Sequence, residues 1–428
     1  MQFARSMKRA PDRTVEVLTF IEHESVPILK SRQPGQKALE QKHANTLSKL
    51  EGKLPAKTWT WGHQAIKFGH YCGVISLGNL SIEILPKIYG IERDPGSSRH
   101  VLIRMLMKAR RLKLQRAGSA DMALQKQSLL DIFILNFCEQ LHAQIMQGMI
   151  RRYIERRENL NVLRGRLRIE QQFKHNLAHR ERLFCQYDEL SEDNLHNQVI
   201  KYVLRLLSKA ALGVAARKQV NELQMHFDPI SDIAVDIVML EQLSFDRSTA
   251  RYESIFDQCR WFLEGFHPDV MAGDASCMSL LFNMNQLFET FVASGLRKIA
   301  WGRGLRLREQ GPQKYMARRV NTDTQLFLMK PDISFLDENN RVVLIADAKW
   351  KVLDESEKKL GISQPDLYQI ESYAARYQVK ELALIYPMQQ KLTAPVQMNF
   401  QGSGARLTLL PYDVITNDFS GSMLFGAI

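Results

Sequence analysis

The chain has little with which to bind zinc or form disulfides. Its five cysteines, Cys72, Cys138, Cys185, Cys259 and Cys277, are scattered. No C-x-x-C pair occurs, and no Cys/His spacing suits zinc. Isolated thiols in a reducing compartment are therefore expected. No apolar run is long enough to span a bilayer, and the basic stretch Met1–Arg9 is not followed by a signal-peptide core. A soluble, cytoplasmic chain with no membrane partner is the expectation. A G-x-x-x-x-G-K-[ST] loop is also missing, so the chain should not itself bind a nucleoside triphosphate. Neither internal repeats nor low-complexity segments occur, and the apolar content is ordinary, which excludes a disordered or fibrous class.

Positive charge is plentiful. The formal net charge is +12 over 428 residues, which favours a polyanionic partner. Residues 151–185 hold ten Lys or Arg against four acidic residues, and a second basic strip runs from Arg303 to Arg319. Either strip alone reads equally well as a solvated face or as DNA contact.

Length and patterning predict an α/β multidomain chain in three parts. A β-rich N-terminal unit is expected over residues 1–98. It has strands at 14–21, 64–68, 71–77 and 80–86, a helix at 36–50, and a closing turn at Pro95–Ser98. A mainly helical middle is expected over residues 99–265, with helices at 101–111, 127–157, from Asp193 as cap to Leu207, and at 252–264; 162–169 reads as a turn or hairpin. Residues 266–428 form the third part. There a helix at 278–299 precedes strands at 305–308, 326–329, 333–336 and 342–346, then a helix at 365–377 and a strand at 381–385. That order fits a mixed sheet with helices packed against it.

The informative stretch is Lys330–Lys351. Two apolar strands flank a polar turn at Asp337–Asn340, a hairpin pattern. Asp332 starts the first strand and Asp347 ends the second, so an antiparallel hairpin sets the two carboxylates side by side. They can then share one hard cation through oxygen ligands. Lys349, two residues on, points to the same sheet face. The grouping suits phosphodiester cleavage: the metal polarises phosphate and activates water, and the ammonium offsets growing charge. Two surface acids and a surface lysine are the bland alternative; P-D and D-x-K together at hairpin spacing weigh against it. Glu289, in an otherwise apolar helical run, is either a solvated residue or a third metal ligand. Gln369 and Tyr373 sit one helical turn apart and face the same way, placed to hold the DNA backbone or Lys349.

These residues resemble the RecB-like branch of the PD-(D/E)XK nucleases, with Asp347 in place of the commoner Glu. More of the chain resembles the McrC family, nuclease subunits of McrBC modification-dependent restriction systems. The resemblance is carried by Gly73–Lys87, Gly165-Arg-Leu167, Tyr187–Asn197, Met278-Ser-Leu-Leu-Phe282, Leu287-Phe-Glu-Thr-Phe291 and Lys330-Pro-Asp332 with Asp347-Ala-Lys349. It implies a restriction-endonuclease-like C-terminal domain of PD-(D/E)XK type, with Asp332, Asp347, Lys349, Glu289, Gln369 and Tyr373 in the site and Mg²⁺ (or Mn²⁺) held by Asp332, Asp347 and Glu289. It further implies a separate McrB-like AAA+ GTPase hexamer. That partner binds the GTP, selects double-stranded DNA containing modified cytosine, and is stimulated when the McrC subunit docks. Arg164, Gly165 and Arg166 are the candidates for partner contact, with DNA phosphate or solvent as the alternative for the two arginines. Some RecB-like enzymes carry an iron–sulfur cluster on cysteines after the catalytic core; no cysteine follows Cys277, so none is expected. The competing functions are an autonomous RecB-like nuclease without a motor, and a non-catalytic ring-docking scaffold.

Overall fold

The computed structural model describes residues 16–78, 80–91, 94–109, 127–272, 275–351, 353, 361–390 and 392–419. The chain is a mixed α/β multidomain protein with several separate sheets. It divides into two compact units through which the chain passes in interleaved order. One unit joins Val17–Ile75 and Leu80–Lys126 to Leu281–Ile428; the other comprises Met1–Glu16, Ser76–Asn79 and Gln127–Leu280.

The first unit is organised by a seven-stranded sheet. Helix α1 (Met284–Gly302) leads to strand β1 (Arg306–Glu309), then β2 (Ile333–Leu336) and β3 (Val342–Ala348). Helix α2 (Gln364–Tyr377) and strand β4 (Glu381–Pro387) follow, then β5 (Val396–Asn399), β6 (Arg406–Asp413) and β7 (Asp418–Phe419). The sheet order is β1-β2-β3-β4-β6-β5, with β7 pairing β6. β2 and β3 are antiparallel, whereas β3, β4 and β6 run parallel. Parallel neighbours need a crossover, and α2 supplies it between β3 and β4. Ser363 starts α2 by accepting from Asp366 N, Pro365 occupies its first turn, and Gln378 in the left-handed region (φ 58°) ends it. Ile345, Ile370, Tyr373, Leu384 and Leu407 bury together between α2 and the sheet. Each large apolar side chain so buried contributes roughly 1.5–3 kcal/mol.

The N-terminal residues complete this unit. Strands Glu16–Ile21, Leu80–Leu85 and Tyr71–Leu77 lie side by side. A four-stranded sheet orders Leu39–Glu40, Ser25–Leu29, Ala65–Phe68 and Trp59–Gly62. Helix Pro95–Ala109 lies along α1, with Lys108 Nζ 5.7 Å from the Phe291 ring centroid. Glu83 and Arg99 form a buried ion pair at 2.5 Å. Trp350, just past β3, ties the N-terminal residues to the sheet: its Nε1 donates to Glu22 Oε1 at 2.9 Å, and Lys87 N donates to the same oxygen at 2.8 Å.

The second unit packs helices Leu129–Ile145, Leu195–Ala210, Val214–His226 and Glu253–Glu264. A three-stranded sheet accompanies them, in the order Arg152–Leu160, Leu183–Ser191, Arg166–Leu167. All five cysteines are buried thiols. Among the described residues no helix is long and apolar enough to cross a membrane.

Several local expectations are corrected. Pro95–Ser98 opens a helix instead of closing a turn, because Asp94 caps it: Gly96 N and Ser97 N donate to its Oδ1 at 3.0 and 3.2 Å, and Pro is suited to the first helical position. The helix expected over 127–157 stops at Ile145, and Arg152–Leu160 is a strand; its alternation of polar and partly buried residues was masked by charge. Met278–Asn283 ends a strand, and helix α1 begins only at Met284, where Asn283 accepts from Asn285 N. Asn194, not Asp193, caps the helix that follows it. Asp193 instead binds Ser231 and Gln198. The expected helix over 36–50 begins at Gln41 after a short strand. Residues 14–15 and 110–111 of expected elements lie outside the described residues.

Candidate active site

β2 and β3 pair with Ile333 opposite Ala346. One step further, Asp332 stands beside Asp347. Ala348 N donates to Asp332 Oδ2 at 3.3 Å, closing the two strand ends together. Asp347 is 1% exposed. Lys349 Nζ lies 2.6 Å from its Oδ2, yet neither Asp347 oxygen accepts a hydrogen bond of normal geometry. A buried carboxylate so poorly supplied with donors is unusual.

Glu289 reaches the same place from α1. Gln310, in the left-handed region (φ 52°) just after β1, links the acids: its Nε2 donates to Glu289 Oε2 at 3.3 Å and to Asp332 Oδ1 at 3.4 Å. From α2, Gln369 Oε1 accepts from Lys349 Nζ at 3.5 Å, and Gln369 Nε2 donates to Tyr373 Oη at 3.1 Å. Tyr373 Oη in turn donates to Lys330 O at 3.4 Å. The structure thus brings together all six residues singled out for this site, and adds Gln310, for which the sequence carried no signal.

The electrostatics are those of crowded negative charge. Burial, then the charges of Asp347 and Glu289, push the Asp332 carboxyl up to about 8. Burial and the Asp347 charge raise Glu289 to about 7. Burial works against the Lys349 ammonium, but the Asp347 carboxylate outweighs it and holds the lysine above its usual range. Burial takes the Tyr373 phenol to about 12. Three carboxylates facing one pinned ammonium leave negative charge that a cation would offset. Among the described residues no group of three or more His, Cys, Asp or Glu side chains is placed to hold a metal ion together. Mg²⁺ does not require one: it commonly takes one or two carboxylates and fills its octahedron with water and phosphate oxygens. The under-bonded Asp347 oxygens and the adjacent Asp332 fit that mode.

The other three singled-out residues lie in the second unit. Gly165 has φ 66°, and a Cβ there would come within 2.5 Å of Gln186 O and of Tyr187 Cβ, so this turn needs glycine. The Arg164 guanidinium lies 4.1 Å from the Tyr187 ring centroid and donates to Glu189 Oε1 at 3.3 Å. Its charge is spent inside the chain. Arg166 is exposed on the two-residue strand opposite Gln186. Much of the basic strip is likewise engaged, with Arg151 on Glu192, Arg156 on Glu189 and Arg157 on Glu155.

A family model described as "McrBC 5-methylcytosine restriction system component" matches residues 66–387, three quarters of the chain. No curated protein matches. A solved structure titled as a refined half-complex from a tetradecameric assembly of Thermococcus gammatolerans McrB AAA+ hexamers with bound McrC is similar at TM-score 0.68 and 20% identity, covering 96% of each chain. A cryo-EM structure of the Thermococcus gammatolerans McrBC complex is similar at TM-score 0.51 and 24% identity, covering 65% of this chain and 87% of that one.

Proposed function

Since the chain belongs to the family of McrBC 5-methylcytosine restriction system components, we propose that it is the DNA-cleaving subunit of such a system, a Mg²⁺-dependent endonuclease of PD-(D/E)XK type. One observation carries this reading. Two strand ends from one hairpin bring Asp332 beside a buried Asp347 whose oxygens lack normal hydrogen-bond donors, with Lys349 pinned at 2.6 Å.

Asp332 and Asp347 would hold Mg²⁺ or Mn²⁺, with Glu289 beside them across the Gln310 amide. When bound, the ion polarises a phosphoryl oxygen and acidifies a water. The chain's own residues do the rest. Lys349, kept protonated by Asp347, is an electrostatic partner for charge growing on phosphate and not a base. Gln369 fixes the lysine's direction, and Tyr373 fixes Gln369. Gln310 holds Glu289 and Asp332 at one spacing. Without the ion, burial and the Asp347 charge keep a proton on Glu289 to about 7, so binding of the ion would be linked to proton release there.

The partner follows from the same likeness. The Thermococcus structure joins McrC to McrB AAA+ hexamers, and we assign this chain a separate McrB-like GTPase hexamer that selects double-stranded DNA with modified cytosine. The three-stranded sheet of the second unit and helix Ile169–Asn176 suit docking. Tyr153, Val162, Leu163, Phe173 and Leu177 are all exposed there, an apolar surface of the kind that marks partner sites.

The test is Asp347→Ala in the full chain, mixed with the partner and modified duplex. Cleavage should vanish while stimulation of GTP hydrolysis persists. Wild-type cutting by the variant would sink the site assignment.

A further inference from the structure

A two-stranded ribbon, Lys314–Arg318 paired with Gln325–Met329, stands apart from the seven-stranded sheet. Such a ribbon is marginally stable by itself, and this one is exposed on both faces. One face pairs Tyr315 with Leu328 and Ala317 with Leu326. Leu328 is 49% exposed, Met316 57%, Phe327 71% and the tip residue Val320 96%. Phe327 also has φ 58°, which breaks the strand alternation and costs about 1 kcal/mol or more. Charge surrounds this apolar surface: residues 303–330 contain seven Lys or Arg against two acidic residues.

The ribbon is rooted in the candidate active site. Gln310 N donates to Asp332 O at 2.9 Å and Gly311 N to Pro331 O at 3.0 Å, so its two ends leave together from the residues that set the acids. Tyr377 Oη donates to Pro312 O at 2.6 Å and lies 3.2 Å from Met329 O, and Arg376 Nε donates to Tyr315 O at 2.8 Å, fixing the base on α2. Five residues at roughly 3.3 Å each project it about 17 Å.

We propose that this ribbon is a DNA-groove element that seats duplex DNA at the cleavage site. Arg319 and Arg318, the latter exchanging its 3.0 Å ion pair with Asp323, contact phosphates, and Met316, Phe327 and Leu328 make apolar contacts within the groove. A major groove about 12 Å wide admits a two-stranded β-ribbon, and apolar side chains on DNA-binding elements contact thymine methyls or wedge base steps. The net charge of this region argues against a second copy of the chain, whose equal ribbon would repel it. The inference rests on the nuclease reading, because duplex DNA is the substrate that reading supplies.

The experiment measures binding separately from cleavage. The full chain, and the full chain with Arg318→Gln/Arg319→Gln or with Phe327→Ser, is titrated onto a fluorescent 30-base-pair duplex at several salt concentrations. The arginine variant should bind at least tenfold more weakly, and its salt slope should fall by about one to two, since each phosphate contact contributes about 0.9. Phe327→Ser should weaken binding with the slope intact. Cleavage at saturating DNA should keep its rate, so KM rises and kcat does not. Unchanged affinity and slope in both variants would overturn the inference. So would a change in oligomeric state or in GTPase stimulation without loss of DNA affinity, which would make the ribbon a protein interface. If ribbon-dependent binding is found but no cleavage, the nuclease reading fails and the groove element stands. If cleavage is normal and ribbon-independent, the reverse holds.

Discussion

Glu22 offers a quantitative check on how the N-terminal residues are locked to the catalytic sheet. Its carboxyl is 3% exposed. Oε1 accepts from Trp350 Nε1 and Lys87 N, while Oε2 accepts no hydrogen bond. Burial raises its pKa from 4.5 to about 7, against the lowering effects of Lys87 and Trp350. In the unfolded chain the group ionises near 4.5; in the folded chain it keeps its proton to about 7. The folded state therefore binds more protons across that window, and stability falls as pH rises through it. At 1.36 kcal/mol per pH unit the loss is about 3 kcal/mol by pH 8. Glu22→Gln keeps the acceptor for Trp350 and Lys87 and removes the titration. Its new amide donor adds an offset of its own, and His23 Nε2, 3.9 Å from Oε2, is present in parent and variant alike. Urea unfolding followed by tryptophan fluorescence at pH 5 and pH 8 reads the difference. The variant should gain about 2.5 kcal/mol relative to the parent between the two pH values. An equal difference at both pH values would refute the reasoning.

Other outcomes follow from the site. Mg²⁺ competes with the protons that Asp332 and Glu289 retain to about 8 and about 7, so calorimetry should show affinity rising from pH 6 to 8 with protons released on binding; pH-independent affinity would contradict the proposed ligands. Lys349→Gln should lower kcat roughly hundredfold, about 3 kcal/mol in a water-poor site, with DNA affinity little changed. Gln310→Ala unties Glu289 from Asp332 and should slow cleavage about tenfold while the thermal midpoint stays within a few degrees, measured by cleavage and calorimetry together; undiminished cleavage would remove Gln310 from the site. Gly165→Ala forces a Cβ into Gln186 O and should cost well over 1 kcal/mol locally, abolishing stimulation of the partner's GTPase while metal-dependent cutting by the chain alone persists.

The hairpin that joins Asp332 to Asp347 was legible because its signal is local. Ile333–Leu336 and Val342–Ala348 are short apolar runs around a polar turn, and register then dictates which ends meet. Gln369 and Tyr373 were legible from a helical repeat of four. Gln310 was not, because its role depends on a backbone turn that aims an amide at two acids from different elements. Glu22 was not, because nothing near Ile21 announces an indole 328 residues away. The errors at Pro95, Arg152 and Met278 share a cause. Each is a boundary where a capping side chain or a neighbouring strand decides between helix and extended chain, and local propensity is a weak guide there.

The interleaving of the two units bears on how the protein is made. The strands within 16–85 pair with one another, but Glu22 must wait for Trp350, which follows the whole helical stretch 127–280 in the chain. At roughly 5–20 residues per second, Glu22 leaves the ribosome about 15 to 65 seconds before Trp350 can join it. The helical unit completes its own stretch in the interval. Asp332 and Asp347 therefore meet only on a chain that already carries residues 127–280, and any chain broken off before Asp347 lacks the cluster. Stalled ribosomes carrying chains that end near residue 300 should display 127–280 resistant to protease, while 17–85 should gain full protection only in chains that extend past Trp350; equal protection of 17–85 at both lengths would contradict this order of assembly. On the proposed nuclease reading, the order of translation keeps a broken-off chain from cutting the cell's own DNA.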